Sequence, residues 1–304
     1  MQSEKMIFFS YLCAQIIRTM DIRLFFDKVK LALQKRSGVT QTKKDYDWWK
    51  AKGYDNEPEV SFVLQSHNKS LQIIHVVRKL RQYSGRKEII VIDDGSSFEH
   101  TERLVKELNG ANEFLIRSND LFEVVTYDKA GRFSNGKYVA LMQDDDDFDD
   151  LKWVDDALAY FKKYPKLAIL GGKWQTHATF DDDKKRYFSE RTDTEKPFAF
   201  AQVICRAPMW INRKLFDEYL HHNDFRFAPV QNDDDEICLR CWTLGLQVGW
   251  YDAHFHSLSA GGMRLWNRSL TESQMERNGK LLYNLYSDKI DDINRRIDEA
   301  NKAL

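Results

Sequence analysis

Cysteine is scarce. Four in 304 residues (Cys13, Cys205, Cys238 and Cys241) do not make the disulfide framework of a small secreted domain. Cys238 and Cys241 have CxxC spacing but fall inside a helical pattern, with no second pair nearby. Two small buried residues on one helix face is the preferred reading, ahead of a metal or redox pair. Long hydrophobic runs are missing too. The longest, residues 6–17, contains Ser10, Cys13 and Gln15 and lacks a small-residue cleavage site. It is too short to span a bilayer and does not fit a signal peptide. Nor does charge of one sign dominate. The 46 Lys and Arg against 47 Asp and Glu leave a formal net charge of -1, so no basic field marks a nucleic-acid binder. No GxGxxG or GxxxxGK(S/T) loop occurs, so phosphate binding would need another source of positive charge. Together these absences point to a reducing, cytoplasmic protein.

What is present is enough apolar material for one large domain with appendages, at 42% hydrophobic and 13% aromatic residues. Residues 1–57 read as an N-terminal helical extension. Leu24, Phe25, Phe26, Val29, Leu31 and Leu33 interleave with Arg23, Lys28, Lys30, Lys35 and Arg36 in a basic amphipathic pattern. A polar linker follows, and then Trp48, Trp49 and Tyr54, an aromatic segment expected to pack on the main domain. Peripheral contact with an anionic membrane face is one role for the extension. Docking on the protein's own core or on another copy is favoured, because amphipathic helices mostly serve packing.

From Val60 onward, strands alternate with helices. The pattern predicts strands at 60–64, 88–92, 113–116, 138–143 and 167–170. Helices fall at 71–80 (stripe Leu71, Ile74, Val77, Leu80), 99–108 and 153–161, and residues 127–135 are an irregular or helical passage. Such alternation implies a mostly parallel sheet covered on both faces. Beyond 172 the alternation weakens. The mixed-charge run 181–186 reads as a solvated hairpin or loop, 198–204 as a strand, 205–210 as a turn, 213–220 as a helix and 247–251 as a strand. Residues 270–302 form a charged C-terminal helix or helix pair.

Three polar clusters fall at predicted strand ends: Gln65–Asn68, Asp93–Ser97 and Asp144–Asp147. In open α/β sheets that edge holds the ligand crevice. Four adjacent carboxylates repel one another unless they are solvated or something strongly positive sits among them. Mg²⁺ or Mn²⁺ suits, since a hard cation takes one or two carboxylates and completes its shell with water and phosphate oxygens. If the chain is extended there, Asp144 and Asp146, or Asp145 and Asp147, would share an ion. Asp149 or Asp150 then caps the next helix. Asp93 and Asp94 can accept from a nucleobase or a ribose, or form an ordinary Asp–Gly turn. A second acidic run, Asp233–Glu236, opens another helix. Its dipole helps keep Asp233 and Asp234 ionised, and a carboxylate there is either a general base or an N-cap. Glu236 and Arg240 are spaced to pair. His254 and His256 would share a face if extended, and one could complete a metal shell. Gly261–Arg264 reads as a mobile loop, with Arg264 or Arg268 within reach of phosphate.

Taken in order, these motifs resemble the family 2 glycosyltransferases of GT-A fold, over residues 58–268. Gln65–Ser66–His67–Asn68 matches the opening turn, with Gln65 for the usual proline. Ile92–Asp93–Asp94–Gly95–Ser96 matches the nucleoside segment. Tyr127–Asp128–Lys129–Ala130 and Gly136–Lys137–Tyr138 lead to the Asp-x-Asp metal motif at Asp144–Asp145–Asp146. Asp128 and Ala130 depart from the family's Asn and Gly. Asp233–Asp234–Asp235–Glu236–Ile237–Cys238–Leu239–Arg240 fits the motif that carries the base, and places the base at Asp234.

The resemblance implies a GT-A, Rossmann-like, mixed and mostly parallel sheet flanked by helices. A nucleotide-sugar half (58–172) and an acceptor half (173–268) would be followed by a C-terminal helical segment (269–304). It implies inverting transfer from a nucleotide-diphosphate sugar, with a UDP-sugar the first choice, to a hydroxyl of a glycan or glycoconjugate. Asp144, Asp146 and His256 (or His254) would hold Mn²⁺ or Mg²⁺. Gln65, His67, Asn68, Asp93, Asp94, Lys129, Arg132, Asp144 and Asp145 would meet the donor. Met209 and Trp210 would form the acceptor site. Asp234 would be the base, with Asp233 beside it, and the Gly261–Arg268 loop would close over the donor. The rival classes are a sugar-phosphate nucleotidyltransferase on a similar sheet and a non-catalytic sugar- or nucleotide-binding protein.

Overall fold

The computed structural model describes residues 26, 29, 30, 32, 33, 47–192, 194–258 and 268–304. The Gly261–Arg264 loop lies outside them. The chain divides into two compact units, Met1–Tyr54 and Asp55–Leu304. In the first, residues 47–51 are helical, Tyr54 N donates to Trp49 O at 2.9 Å, and Trp48 and Trp49 are exposed. No described helix is long and apolar enough to cross a membrane.

The second unit opens with the expected alternation. It runs β1 (Val60–Ser66), α1 (Ser70–Leu80), β2 (Lys87–Asp94), α2 (Phe98–Glu107), β3 (Glu113–Ser118), α3 (Phe122–Phe133), β4 (Tyr138–Met142), β5 (Asp146–Asp147), α4 (Lys152–Lys163) and β6 (Leu167–Gly171). Then come β7 (Gln175–Asp181), β8 (Arg186–Thr192), β9 (Phe198–Phe200), β10 (Val203–Ile204) and β11 (Met209–Asn212). Last are α5 (Asp233–Thr243), β12 (Gln247–Tyr251), β13 (His256–Ser257), α6 (Arg268–Tyr286) and α7 (Ile290–Lys302). The main sheet has the order β3-β2-β1-β4-β11-β6-β12-β9. β11 and β9 run antiparallel to their neighbours, and the other strands are parallel. β10, β7 and β8 form a second small sheet, and β13 pairs with β5 in a ribbon.

Several boundaries differ from the pattern, each for a local reason. In α1 the buried stripe is Ile73, Val76, Val77 and Leu80, while Leu71 is 67% exposed. Both stripes have helical period, and packing chose the one rotated by a residue. α3 begins at Phe122 because Asp94 accepts from the Leu121 and Phe122 amides. The 198–204 strand splits between two sheets. Leu151 holds the N-cap position of α4, and Asp150, one residue earlier, accepts from Lys152 N at 2.8 Å. The 205–210 turn is half strand, since residues 209–212 insert between β4 and β6 as β11. Gly136 is required at the entry to β4, where a Cβ would stand 2.5 Å from Ser61 N.

An aromatic layer closes one side of the sheet. Trp210 of β11 is fully buried against Trp153 (centroids 5.2 Å) and Phe62 (6.4 Å). Its Nε1 donates to Tyr251 OH at 3.0 Å, and that hydroxyl donates to Trp153 O at 2.9 Å. The C-terminal helices belong to the same compact unit. Asn278 of α6, fully buried, donates through Nδ2 to the carbonyls of Phe227 (3.0 Å), Val230 (2.9 Å) and Gln231 (2.7 Å). It thereby holds the loop that enters α5. Trp210→Ala should remove about 3–5 kcal/mol of stability in a denaturant titration. A loss under about 1 kcal/mol would mean that the aromatic layer does not close the core.

Candidate active site

The parallel strands end along one edge, and the expected polar clusters meet there. At the β1 and β2 ends, however, the side chains are bound to one another. Asp93 and Asp94 are 0% exposed. Asp94 accepts from Ser118 Oγ (2.7 Å), Leu121 N (2.9 Å), Phe122 N (2.8 Å) and Gln65 Nε2 (3.4 Å). Asp93 accepts from Thr101 Oγ1 at 2.5 Å. His67 Nδ1 donates to the Asp94 carbonyl at 2.7 Å, and Asn68 Oδ1 accepts from Ser97 N at 2.8 Å. Asp94 is thus satisfied by its neighbours, while Asp93 Oδ1 is buried without a hydrogen-bond partner among the described residues.

The acidic run after β4 turns rather than extending, so its carboxylates separate. Asp144 accepts from His67 N at 3.4 Å and lies 3.7 Å from Lys69 Nζ. Asp146 accepts from Gln143 N at 2.8 Å through Oδ2. Its Oδ1 is buried without a hydrogen-bond partner among the described residues, with Lys173 Nζ 3.9 Å away. Burial pushes the Asp146 carboxyl up to about 7, and burial also raises Asp144, with Asp145 adding to it and Lys69 opposing. Asp147 points the other way. It is held by Lys79 (2.6 Å) and His75 (3.2 Å), and Lys79, by hydrogen bonding it, lowers its pKa against the cost of burial. Asp147 is thus already paired with a lysine and a histidine.

The same alternation corrects the histidine. In the β5–β13 ribbon, His256 is opposite Asp147 and Ser257 is opposite Asp146. Residues directly opposite share a face, and successive ones alternate. His256 Nε2 lies 3.6 Å from Asp147 Oδ2, on the side away from Asp146. His254 has φ 53, so it is not extended with His256, and it pairs with Asp252 at 3.3 Å. Among the described residues, no group of three or more His, Cys, Asp or Glu side chains is arranged to hold a metal ion. Asp144 and Asp146 alone fit one. Two carboxylates, one with an unpartnered buried oxygen, suit a hard cation that draws the rest of its shell from water and phosphate.

The second acidic run starts α5 at the same edge. Asp233 is buried and ion-paired with Arg206. Asp235 is buried and accepts from Asn232 Nδ2 at 2.6 Å. Glu236 is buried and binds Arg240 (3.0 Å) and Tyr286 OH (2.8 Å). Asp234 alone of the four is only partly buried. The dipole argument fails for two of them, because burial outweighs it. Burial raises Asp233 against the pull of Arg206, and burial with the neighbouring Asp234 charge raises Asp235 to about 7. Between the two acidic runs lies Cys205, whose thiol is pushed up to about 12 by burial first, with the Asp234 and Asp146 charges adding to it.

Four further expectations change. Met209 (2% exposed) and Trp210 (0%) lie within the sheet and offer no face to a sugar. Lys129 and Arg132 sit two to three turns from the edge end of α3, where Arg132 binds Asp128 at 3.1 Å and the His221 carbonyl. They brace α3 against the 221–225 segment rather than meeting a donor.

Residues not singled out in the sequence replace them at the site: Lys69, Lys173, Arg206 and Trp174. The half-buried Trp174 ring has Lys173 Nζ and Arg191 Cζ each 4.9 Å from its centroid, and its carbonyl accepts from Cys205 N at 3.3 Å. The signal available was a lone Lys and a lone Arg following strand ends, too common to stand out. A cavity of about 520 Å³ lined in part by Glu59, Lys137 and Asn212 opens at the opposite sheet edge and shares no residue with this site.

The sequence profile described as Glycosyl transferase family 2 matches residues 61–220, more than half of the chain. The chain belongs to that family. The match covers the acidic turn and ends before α5. Solved structures agree on the fold. GalNAc-T7 with UDP, GalNAc and Mn²⁺ aligns with a TM-score of 0.53 at 16% identity, over 65% of this chain and 43% of that one. The mannosyltransferase PcManGT from Pyrobaculum calidifontis, in complex with GDP-Man and Mn²⁺, aligns with a TM-score of 0.53 at 12% identity, over 84% and 74%. At these identities the likeness establishes the GT-A architecture, and the chain spans under half the length of the GalNAc-T7 chain. No curated protein sequence matches.

Asp235 gives a test independent of turnover. Its folded pKa of about 7 lies above the unfolded value of about 3.9. Its contribution to stability is therefore complete below about pH 4 and lost as pH rises through about 7. In metal-free buffer the melting temperature should fall from pH 5 to pH 8, and Asp235→Asn should flatten that fall. An unchanged slope in the variant would show that Asp235 does not titrate there.

Proposed function

We propose that this chain is an inverting glycosyltransferase that moves a sugar from a nucleotide-diphosphate sugar to a hydroxyl of a glycan or glycoconjugate. The supporting observation is the difference between the two acidic runs at one sheet edge. The first presents buried carboxylates short of positive charge. The second presents one partly open carboxylate among neighbours that are tied down. Asp144 and Asp146 would hold Mn²⁺ or Mg²⁺, which when bound neutralises the diphosphate and stabilises the departing nucleotide. Lys69 and Lys173 add fixed positive charge beside them. Asp234 accepts the acceptor hydroxyl proton as that oxygen attacks the anomeric carbon from the face opposite the nucleotide. Trp174 takes the place assigned to Trp210 as the aromatic wall for an acceptor ring. GalNAc-T7 and PcManGT bind different nucleotides, so the base is a matter for experiment, with UDP tested first.

Thermal shift with UDP, GDP, CDP and dTDP, each with Mn²⁺ and with EDTA, addresses the donor side. One nucleotide should raise the melting temperature by mass action, only with metal, and Asp146→Asn should abolish the shift. No shift with any nucleotide would favour a non-catalytic protein. Asp234→Asn should keep nucleotide binding and lower kcat by at least about 100-fold. Full activity in that variant would put the base elsewhere. Trp174→Ala should raise acceptor KM up to about tenfold with little change in donor KM.

A further inference from the structure

We propose that Arg206 is a positioning residue that sets the place of the Asp234 carboxylate against the donor half of the site. The proposal rests on the reading of Asp234 as base. Arg206 lies in the crossing between β10 and β11, at the ligand edge, and is 6% exposed. A buried guanidinium is tolerated only with several well-placed partners. Its partners come from both halves. From the acceptor half, it pairs with Asp233 in the first turn of α5. From the donor half, NH1 donates to Glu123 of α3 at 3.2 Å, and its plane stands 4.7 Å over the Tyr127 ring. Tyr127 OH donates to Met142 O at 3.0 Å, the last residue of β4 and two before Asp144. One side chain thus joins the start of the base helix to the root of the acidic turn.

The position of Asp234 follows from that link. Anchoring Asp233 fixes the rotation of the first turn of α5, and Asp234 Oδ1 accepts from Asp235 N at 3.1 Å, which fixes its own direction. A lysine would supply the charge but neither the two-carboxylate fork nor the stacking plane.

A purely structural ion pair makes a different prediction, which the full-length chain can test. Arg206→Met, Arg206→Lys, the double variant Arg206→Met/Asp233→Asn, and Asp234→Asn are compared for melting temperature, UDP–Mn²⁺ and GDP–Mn²⁺ binding, and turnover over a panel of UDP-, GDP-, CDP- and dTDP-sugars. The double variant removes the uncompensated Asp233 charge. It should regain the wild-type melting temperature and bind UDP–Mn²⁺ within about threefold, yet keep kcat about 100-fold low, as misplacing a catalytic group does. Arg206→Lys should recover part of kcat with KM unchanged. Wild-type kcat in the double variant, with Asp234→Asn inactive, overturns this proposal alone. If the double variant does not fold, wild-type kcat in Arg206→Lys overturns it. A wild-type chain that turns over no donor, or a fully active Asp234→Asn, overturns the base reading and this proposal with it.

Discussion

A sheet buried on both faces can meet a ligand only at the ends of its strands. Most of this site follows from that constraint. β1, β2 and β4 are buried along nearly their whole length, so polar groups can leave the sheet only where each strand stops. Their ends carry Gln65–Asn68, Asp93–Asp94 and Gln143–Asp147. β11 and α5 bring Cys205–Pro208 and Asp233–Glu236 to the same edge from the other half of the chain.

Crowding carboxylates at a half-dry edge is unfavourable unless each finds a partner, and the partners here are unequal. Asp94 has four hydrogen-bond donors. Asp147 has a lysine and a histidine, and Asp233 has an arginine. Asp94 and Asp147 are settled and would lose by turning to a ligand, whereas Asp233 keeps one buried oxygen, Oδ1, without a hydrogen-bond partner among the described residues. Asp146 has one amide and a lysine at 3.9 Å, and its carboxyl is displaced accordingly. The shortage of positive charge is therefore local, centred on Asp144 and Asp146. It separates the carboxylates that build the crevice from those with capacity left for a ligand, a distinction that composition does not contain.

The parallel half and its polar strand ends were legible in the sequence, because alternation of short apolar runs with helical stripes has few other solutions. The acidic turn and the α5 acids were legible as clusters. What stayed hidden depends on three-dimensional placement. Four residues, Met209–Asn212, are too short to read as a strand when a proline precedes them, yet the gap between β4 and β6 accepts them. That insertion turns Trp210 from an apparent binding aromatic into core. The side that His256 faces depends on two-residue alternation along β5–β13, and the pairing of that ribbon is not written in either segment. Lys129 and Arg132 share a helix with residues near the edge, but a rise of 1.5 Å per residue carries them about 10 and 15 Å away from it.

The β11 insertion also accounts for the spacing of the two acidic runs. Because β11 lies between β4 and β6, the chain entering it must cross the ligand edge between the ends of those strands. Residues 205–208 are forced into that crossing, with Gly172 N donating to Pro208 O at 3.1 Å on one side. Arg206 is set inward, toward Tyr127, on the other. α5 packs over β6, β10 and β12, so Asp234 comes from the β6 side while Asp144 and Asp146 come from β4. Neighbouring strands are spaced at about 4.8 Å, so the sheet rather than the loops holds the two acidic runs apart.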